Sequence, residues 1–138
     1  KGLRELSANP NAEMVIQVEG QQWHWRLTYP DYDLGYDRAL QMAVPVDTRI
    51  KFELTSTDVI HSFWVPAFRM KMDAVPGRTT EMYVTPTKTG TFEDDTNLRV
   101  QCAELCGTGH PNMQMKVLVL EPEAFEQWVS EARMLVSN

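Results

Sequence analysis

Short segments with alternating apolar residues recur along most of the chain and limit its possible folds more than any other feature. The segment "RIKFELT" at residues 49–55 places Ile50, Phe52 and Leu54 on one face, the pattern of a half-buried strand. Repeated short strands favour an antiparallel sandwich or barrel over alternating strands and helices. Pro, Gly, Asp and Thr clusters separate the other such segments, at 15–29, 40–44, 59–65, 80–84, 98–101 and 114–120.

A helical pattern is confined to the last part of the sequence. Pro122 suits the first position of a helix, and Phe125, Trp128, Val129 and Ala132 follow at steps of three and four residues. We expect one domain over residues 1–138, with a polar leader over 1–12, a sandwich over about 13–120 and a packed helix over about 122–134. Two remaining segments are interpreted as a turn, "DYDLGYD" at 31–37, and a loop, "RMKMDAVPGR" at 69–78.

The length, polarity and net charge of the chain exclude some classes of function. A chain of 138 residues is long enough to bury a core as one domain. Its polar start is unlike a signal peptide, and its longest apolar stretches are too short to cross a bilayer, so any membrane contact is expected through parts absent from this sequence. A net charge of −6 argues against a nucleic-acid partner and is compatible with docking of a basic protein.

Both cysteines of the chain lie in "CAELCGTGHPNM" at residues 102–113. Cys102, Cys106, His110 and Met113 follow one another at steps of four, four and three residues, and the intervening Gly and Pro residues let the backbone wrap tightly. Thiolate, thioether and imidazole together select copper. A Cys102–Cys106 disulfide or two buried thiols is the simpler alternative, but it leaves the neighbouring His and Met unexplained.

A copper loop of this kind needs a ligand from elsewhere, and the other histidines are His24 and His61. His61 lies in a predicted strand, whereas His24 points away from the two tryptophans beside it, so His61 is the better candidate. A mononuclear blue-copper site needs only one of the two cysteines. A dinuclear site, in which both sulfurs bridge two metals, uses every unusual residue of the segment, and both possibilities stay open on the residues alone.

Four stretches resemble the dinuclear copper (CuA) domain of subunit II of haem-copper oxygen reductases, chiefly the cytochrome c oxidases. They are "GQQWHW" at 20–25, "DVIHSFWVPAFRMKMDAVPGR" at 58–78, "QCAELCGTGHPNM" at 101–113 and "AFEQW" at 124–128. The resemblance implies an all-β, cupredoxin-like Greek-key β-sandwich with a short C-terminal helix. It also implies a location on the outer, periplasmic face of an energy-transducing membrane.

The same resemblance implies a ligand set for two copper ions. Cys102 and Cys106 would bridge both ions, His61 and Met113 would complete one, and His110 with the Glu104 backbone carbonyl would complete the other. The Glu104 side chain would help to bind magnesium at the interface with subunit I. Trp23 would receive electrons from a cytochrome c or another small donor, although a core aromatic is an equally simple interpretation of that residue.

Two departures from the family pattern concern the surroundings of the implied site. His24 stands where the family commonly has tyrosine, and residues 93–95 belong to an acidic insertion ahead of the first cysteine. The insertion is interpreted either as a surface that shapes donor docking or as a solvated hairpin. No motif for bond-making catalysis is present in the sequence, so the isolated domain is expected to be the electron-accepting part of an enzyme.

Overall fold

The computed structural model describes residues 13–102 and 113–136, which form two five-stranded sheets and a helix. The first sheet has the strand order β3-β2-β1-β5-β8, and the second has the order β4-β10-β9-β6-β7. The strands are β1 (Met14–Gln21), β2 (His24–Tyr29), β3 (Leu34–Tyr36), β4 (Gln41–Pro45), β5 (Ile50–Ser56), β6 (His61–Val65), β7 (Met70–Ala74), β8 (Thr80–Val84), β9 (Arg99–Cys102) and β10 (Gln114–Leu120), and the helix is α1 (Pro122–Val136).

The expected two-sheet sandwich with a C-terminal helix is confirmed, and its pairings are mixed. Most neighbouring strands are antiparallel, but β1 pairs in parallel with β5, and β10 pairs in parallel with β4. The β1–β5 register places Gly20 opposite Ser56, so these two parallel strands finish at the same end of the sandwich. At that end, the chain passes from β5 to β6, which belongs to the facing sheet.

The core is formed by the apolar residues that alternate with polar ones along the strands. Ile50, Phe52 and Leu54 of β5 are fully buried, and the residues between them are partly exposed. Strand β10 repeats the pattern with Met115, Val117 and Val119 buried. Successive side chains of a strand point to opposite faces, so each sheet contributes one apolar face to the space between the sheets.

Helix α1 and a buried tyrosine close one side of the sandwich. Phe125 and Val129 are buried against the core, as the helical spacing predicted, and the helix extends to Val136, slightly beyond the expected end. The Tyr29 hydroxyl donates to the Ala43 carbonyl at 2.9 Å and accepts from the Ala43 amide at 3.1 Å. Because Tyr29 is in the first sheet and Ala43 in the second, this pair of bonds joins the two layers.

Two segments form strands that the sequence interpretation missed. The predicted turn at 31–37 contains β3, which pairs with β2, and the predicted loop at 69–78 contains β7, which pairs with β6. Each lies at one edge of its sheet, with β8 and β4 at the opposite edges. An edge strand has one free side and tolerates charged and polar residues, so its sequence carries a weak strand pattern.

Among the residues that the structure describes, no helix is long and apolar enough to cross a membrane.

Candidate metal centre

Several strand ends meet at one end of the sandwich and bring distant parts of the chain together. Strands β1 and β5 finish there, and β6 begins there with His61. Strand β9 reaches the same end with Cys102, which is opposite Phe63 of β6. Met113 immediately precedes β10, the other neighbour of β9. The topology therefore places three sequence-predicted copper ligands, His61, Cys102 and Met113, at a common end of the sandwich.

The His61 ring is fully buried and is held through one of its two nitrogens. Its Nε2 lies 2.8 Å from Oδ1 of Asp58. A carboxylate accepts hydrogen bonds, so Nε2 carries the proton in this contact. Nδ1 is buried and has no hydrogen-bond partner among the described residues. A buried, unpaired imidazole nitrogen is costly unless something binds its lone pair, as a metal does.

Close packing fixes the orientation of this ring. Gly20 lies directly against it, because a Cβ atom built on Gly20 would be 2.7 Å from Cδ2 and 2.9 Å from Cγ of His61. The Trp25 indole packs edge-on from another side, with ring centroids 6.0 Å apart. The absence of a side chain at residue 20 therefore makes room for the imidazole, and Trp25 restricts its rotation.

Cys102 and Met113 are as buried as His61. Cys102 is 1% exposed and Met113 is 1% exposed. The Trp25 indole N–H donates to the Met113 carbonyl at 3.3 Å, so the same tryptophan contacts His61 and anchors the start of β10. Sulfur atoms shielded in this way keep water from competing for a soft metal.

The groups around His61 and Asp58 shift the pKa values of both side chains. Burial lowers the pKa of His61, but the Cys102 thiol and the Asp58 carboxylate outweigh burial and raise that pKa above its usual value. Burial raises the pKa of Asp58, but hydrogen bonds from the Gln22 amide, His61 and the Val59 amide lower it overall. Asp58 therefore stays ionised near neutral pH and remains an acceptor for His61.

Part of the predicted ligand set lies outside the described residues. Glu104, Cys106 and His110 fall in the segment 103–112, so the structure brings together only His61, Cys102 and Met113. Within residues 13–102 and 113–136, no group of three or more His, Cys, Asp or Glu side chains is arranged to hold a metal. The described donors, an unpaired imidazole nitrogen beside a buried thiol and a buried thioether, nevertheless fit a copper ion.

Trp23 occupies the turn between β1 and β2 and is 40% exposed. The interpretation of Trp23 as a core aromatic was wrong, since the core tryptophan is its neighbour Trp25, 1% exposed. His24, between them, is half-buried, and its Nδ1 is buried without a hydrogen-bond partner among the described residues. Trp23 is thus available to a partner, as its predicted role requires.

Two residues that support the site were not singled out in the sequence. Asp58 contacts His61, and Gly20 makes space for it. Asp58 is three residues before His61 in the sequence. An acidic residue so close to a candidate histidine ligand could have suggested the contact between them. Gly20 gives no such signal, because the contact depends on how β1 faces β6 across the sandwich.

The acidic insertion is held by local bonds. The Asp94 carboxylate accepts from the Thr91 amide at 3.3 Å, and the Asp95 carboxylate accepts from the Asn97 amide at 2.9 Å. Glu93 pairs with Lys116 at 2.7 Å. All three carboxylates therefore have structural partners in an exposed turn, which supports the solvated-hairpin interpretation of this segment.

Comparisons with known proteins agree with the architecture. The sequence profile described as Cytochrome C oxidase subunit II, periplasmic domain, matches residues 35–120. Cytochrome c oxidase subunit 2 of Thermostichus vulcanus is 42% identical over an alignment of 128 residues, and the match covers 89% of this chain and 36% of that protein. A probable cytochrome c oxidase subunit 2 of Rickettsia bellii is 32% identical, and the match covers 99% of this chain and 55% of that protein. The chain thus spans about half or less of these relatives.

Solved structures extend the similarity to three dimensions. The crystal structure of the periplasmic domain of subunit II of the Bradyrhizobium japonicum cytochrome oxidase gives a TM-score of 0.81 at 35% identity, covering 91% of this chain and 96% of that chain. A second structure shows a mixed disulfide intermediate between a thioredoxin-like protein and a cytochrome c oxidase subunit II. It gives a TM-score of 0.77 at 34% identity, covering 91% and 94% of the two chains.

Proposed function

Because this chain belongs to the cytochrome c oxidase subunit II family, as the periplasmic domain of that membrane subunit, we propose that it is an electron-transfer domain with a dinuclear copper centre. The observation that carries the proposal is the buried His61, whose Nδ1 has no hydrogen-bond partner among the described residues while its Nε2 is held by Asp58. Metal-ligating histidines characteristically donate their other ring N–H to a carboxylate.

The proposed ligand set combines described and undescribed residues. Cys102 and Cys106 would hold both ions, His61 and Met113 would complete the ligands of one, and His110 with the Glu104 carbonyl would complete those of the other. When bound, the copper pair takes up and releases one electron at a time. The protein keeps His61 and Cys102 buried at strand ends and Met113 buried directly before β10, which limits ligand movement and excludes water as the charge changes.

We further propose the partners of this domain. A reduced c-type cytochrome or similar donor docks on the face that exposes Trp23, and the electron passes on to a haem in subunit I of the oxidase. The Glu104 side chain contributes to a magnesium site at that subunit interface. The net charge of −6 favours a basic donor, because opposite charges accelerate encounter.

Copper quantification with paramagnetic resonance is the decisive experiment for this function. We expect the 138-residue chain, reduced and saturated with copper, to hold two coppers per chain and to give a hyperfine pattern of one electron shared equally between two nuclei. A mononuclear blue-copper carrier is the second candidate, and it predicts one copper per chain with a four-line pattern from one nucleus. A permanent Cys102–Cys106 disulfide in copper-replete protein would contradict both candidates.

The Trp23→Ala variant tests the docking face. Truncating an exposed aromatic at an interface commonly costs more than ~1 kcal/mol. We therefore expect the second-order rate of reduction by a reduced c-type cytochrome to fall at least about fivefold. Copper content and spectrum should not change. Stopped-flow absorbance at low ionic strength measures this rate.

Tyr83→Ala provides the matched control for Trp23. Tyr83 is 42% exposed against 40% for Trp23, and it pairs with Lys51 near the beginning of β5, at the opposite end from the candidate metal centre. This variant should be reduced at the wild-type rate. Equal slowing of both variants would mean that the donor does not select the Trp23 face.

A further inference from the structure

The Asp58 carboxylate joins three separate pieces of the molecule. Its Oδ1 lies 2.8 Å from Nε2 of His61 and accepts from the Val59 amide at 2.6 Å. Its Oδ2 accepts from the Gln22 amide at 2.8 Å. Gln22 belongs to the turn between β1 and β2, whereas Asp58 and Val59 belong to the turn between β5 and β6. One carboxylate therefore uses both oxygens to connect two turns and a buried ring.

On the buried side, Asp58 determines which nitrogen of His61 faces away from it. The hydrogen bond to Asp58 holds the proton on Nε2 and leaves the Nδ1 lone pair available. Gly20 and Trp25 prevent the ring from turning over to exchange the two nitrogens. The carboxylate and the packing therefore specify a single tautomer and a single orientation.

On the exposed side, the same carboxylate holds an apolar surface. Trp23 follows Gln22 directly, and Val59 and Ile60 follow Asp58. These three side chains are 40%, 38% and 47% exposed, respectively. A further bond, from the Thr57 amide to the Gly20 carbonyl at 3.1 Å, ties the two turns together. The exposed surface and the buried ligand are thus parts of one hydrogen-bonded unit.

We propose that Asp58 is a positioning residue that sets His61 with Nδ1 toward the metal and fixes the Trp23 turn relative to that ligand. The proposal deepens the electron-transfer function and depends on it for the identity of the metal. The hydrogen-bonded route from the Trp23 backbone through Gln22 and Asp58 to His61 contains two contacts of 2.8 Å each. A donor bound on the Trp23, Val59 and Ile60 surface gives up one electron and becomes oxidised, the copper pair becomes reduced, and no proton moves.

The Asp58→Asn variant separates positioning from turn stability. An asparagine has an acceptor oxygen at one of the two carboxylate positions and an NH₂ donor at the other. Because His61 and the Gln22 amide bind different oxygens of Asp58, asparagine in the same orientation cannot accept from both. In the metal-free chain at alkaline pH, ring ¹⁵N shifts of His61 should change from one tautomer to a mixture. In the copper-loaded chain, we expect the copper affinity, measured by competition with a chelator, to fall roughly 10- to 100-fold. Reduction by a c-type cytochrome should also become slower.

Ser56→Ala is the matched control in the same turn. The Ser56 hydroxyl accepts from the Asp58 amide at 3.2 Å and donates to the Val59 carbonyl, which is closer to it than Oδ1 of Asp58 at 3.4 Å. Its removal leaves both carboxylate oxygens of Asp58 in place, and no bond from Ser56 to His61 is present among the described residues. This variant should lower the melting temperature and leave the His61 tautomer and the copper affinity at wild-type values. It therefore reports the effect of weakening the turn alone.

The outcomes distinguish this inference from the proposed function. If Asp58→Asn behaves as Ser56→Ala does, losing stability while keeping a single tautomer and wild-type copper retention, Asp58 is only a turn residue and the inference is overturned. Wild-type protein would still hold two coppers in that case. If the wild type holds no copper pair, the proposed function fails, whereas the metal-free tautomer measurement still decides whether Asp58 orients His61.

Discussion

Replacing Cys102 with serine is expected to abolish the dinuclear centre. Cys102 is 1% exposed at the end of β9, and a serine hydroxyl there is a hard, protonated donor that cannot bridge two copper ions. Copper content should fall from two per chain to one or none, and the shared-electron hyperfine pattern should disappear. Quantified paramagnetic resonance of the copper-saturated variant measures both changes.

Met113→Leu is the control for this result. Leucine has nearly the volume of methionine and preserves the buried packing, but it lacks the thioether that is proposed as a weak axial ligand. This variant should keep two coppers and the shared electron while its reduction potential shifts. Retention of the shared-electron pattern in Cys102→Ser, or equal losses in both variants, would contradict the division into bridging and axial sulfurs.

Gly20→Ala is expected to disturb the site almost as strongly by steric means alone. The new Cβ would be 2.7 Å from Cδ2 of His61, closer than such atoms approach in proteins, and the ring is confined by Trp25 and bound to Asp58. Overpacking of a buried site typically costs about 1–3 kcal/mol. We expect lower stability in urea unfolding of the metal-free chain, together with weaker retention of copper.

Gly35→Ala is the control for Gly20→Ala, because an added Cβ meets no close contact at residue 35. Gly35 is in β3, and the nearest atom to an added Cβ is Oγ1 of Thr28 at 3.4 Å. Replacing a glycine at a compatible position removes freedom from the unfolded chain and stabilises proteins by about 0.4–1 kcal/mol. Opposite signs in the two variants would confirm the steric origin of the Gly20 effect. Wild-type copper retention in Gly20→Ala would argue against a fixed His61 ring.

The central strands and the helix were predictable because burial leaves a regular pattern in their sequences. Strand β5 alternates buried and partly exposed residues along its whole length, and α1 places Phe125 and Val129 on its buried side. The edge strands β3 and β7 were not predictable in this way, whereas the other two edge strands, β4 and β8, were predicted. Strand β7 reads "MKMDA", which alternates apolar and polar residues over only five positions, and its lysine, aspartate and alanine are residue types that strands disfavour.

The sequence identifies candidate ligands where the chemistry of a side chain alone singles it out, and their role as ligands stays a prediction. Cys102, His61 and Met113 have side chains that bind soft metals, and the structure places all three, buried, at one end of the sandwich. The roles of Asp58 and Gly20 depend on contacts between segments that are far apart in the sequence. The predicted β-strand over 59–65 begins instead at His61, because Asp58 and Ser56 hold the preceding residues in a turn.

The meeting of strand ends at the candidate metal centre has a consequence for maturation. Gly20, His61, Cys102 and Met113 come from segments spread over most of the chain, and both parallel pairs also join distant segments. Contacts of such long sequence separation form late and slowly in folding. The proposed copper site is therefore assembled only when the domain has folded, and copper supplied before folding would meet cysteine thiols that are not yet arranged to bind it. Copper bound as proposed would interact with the native state alone and would therefore stabilise that state against heat and protease.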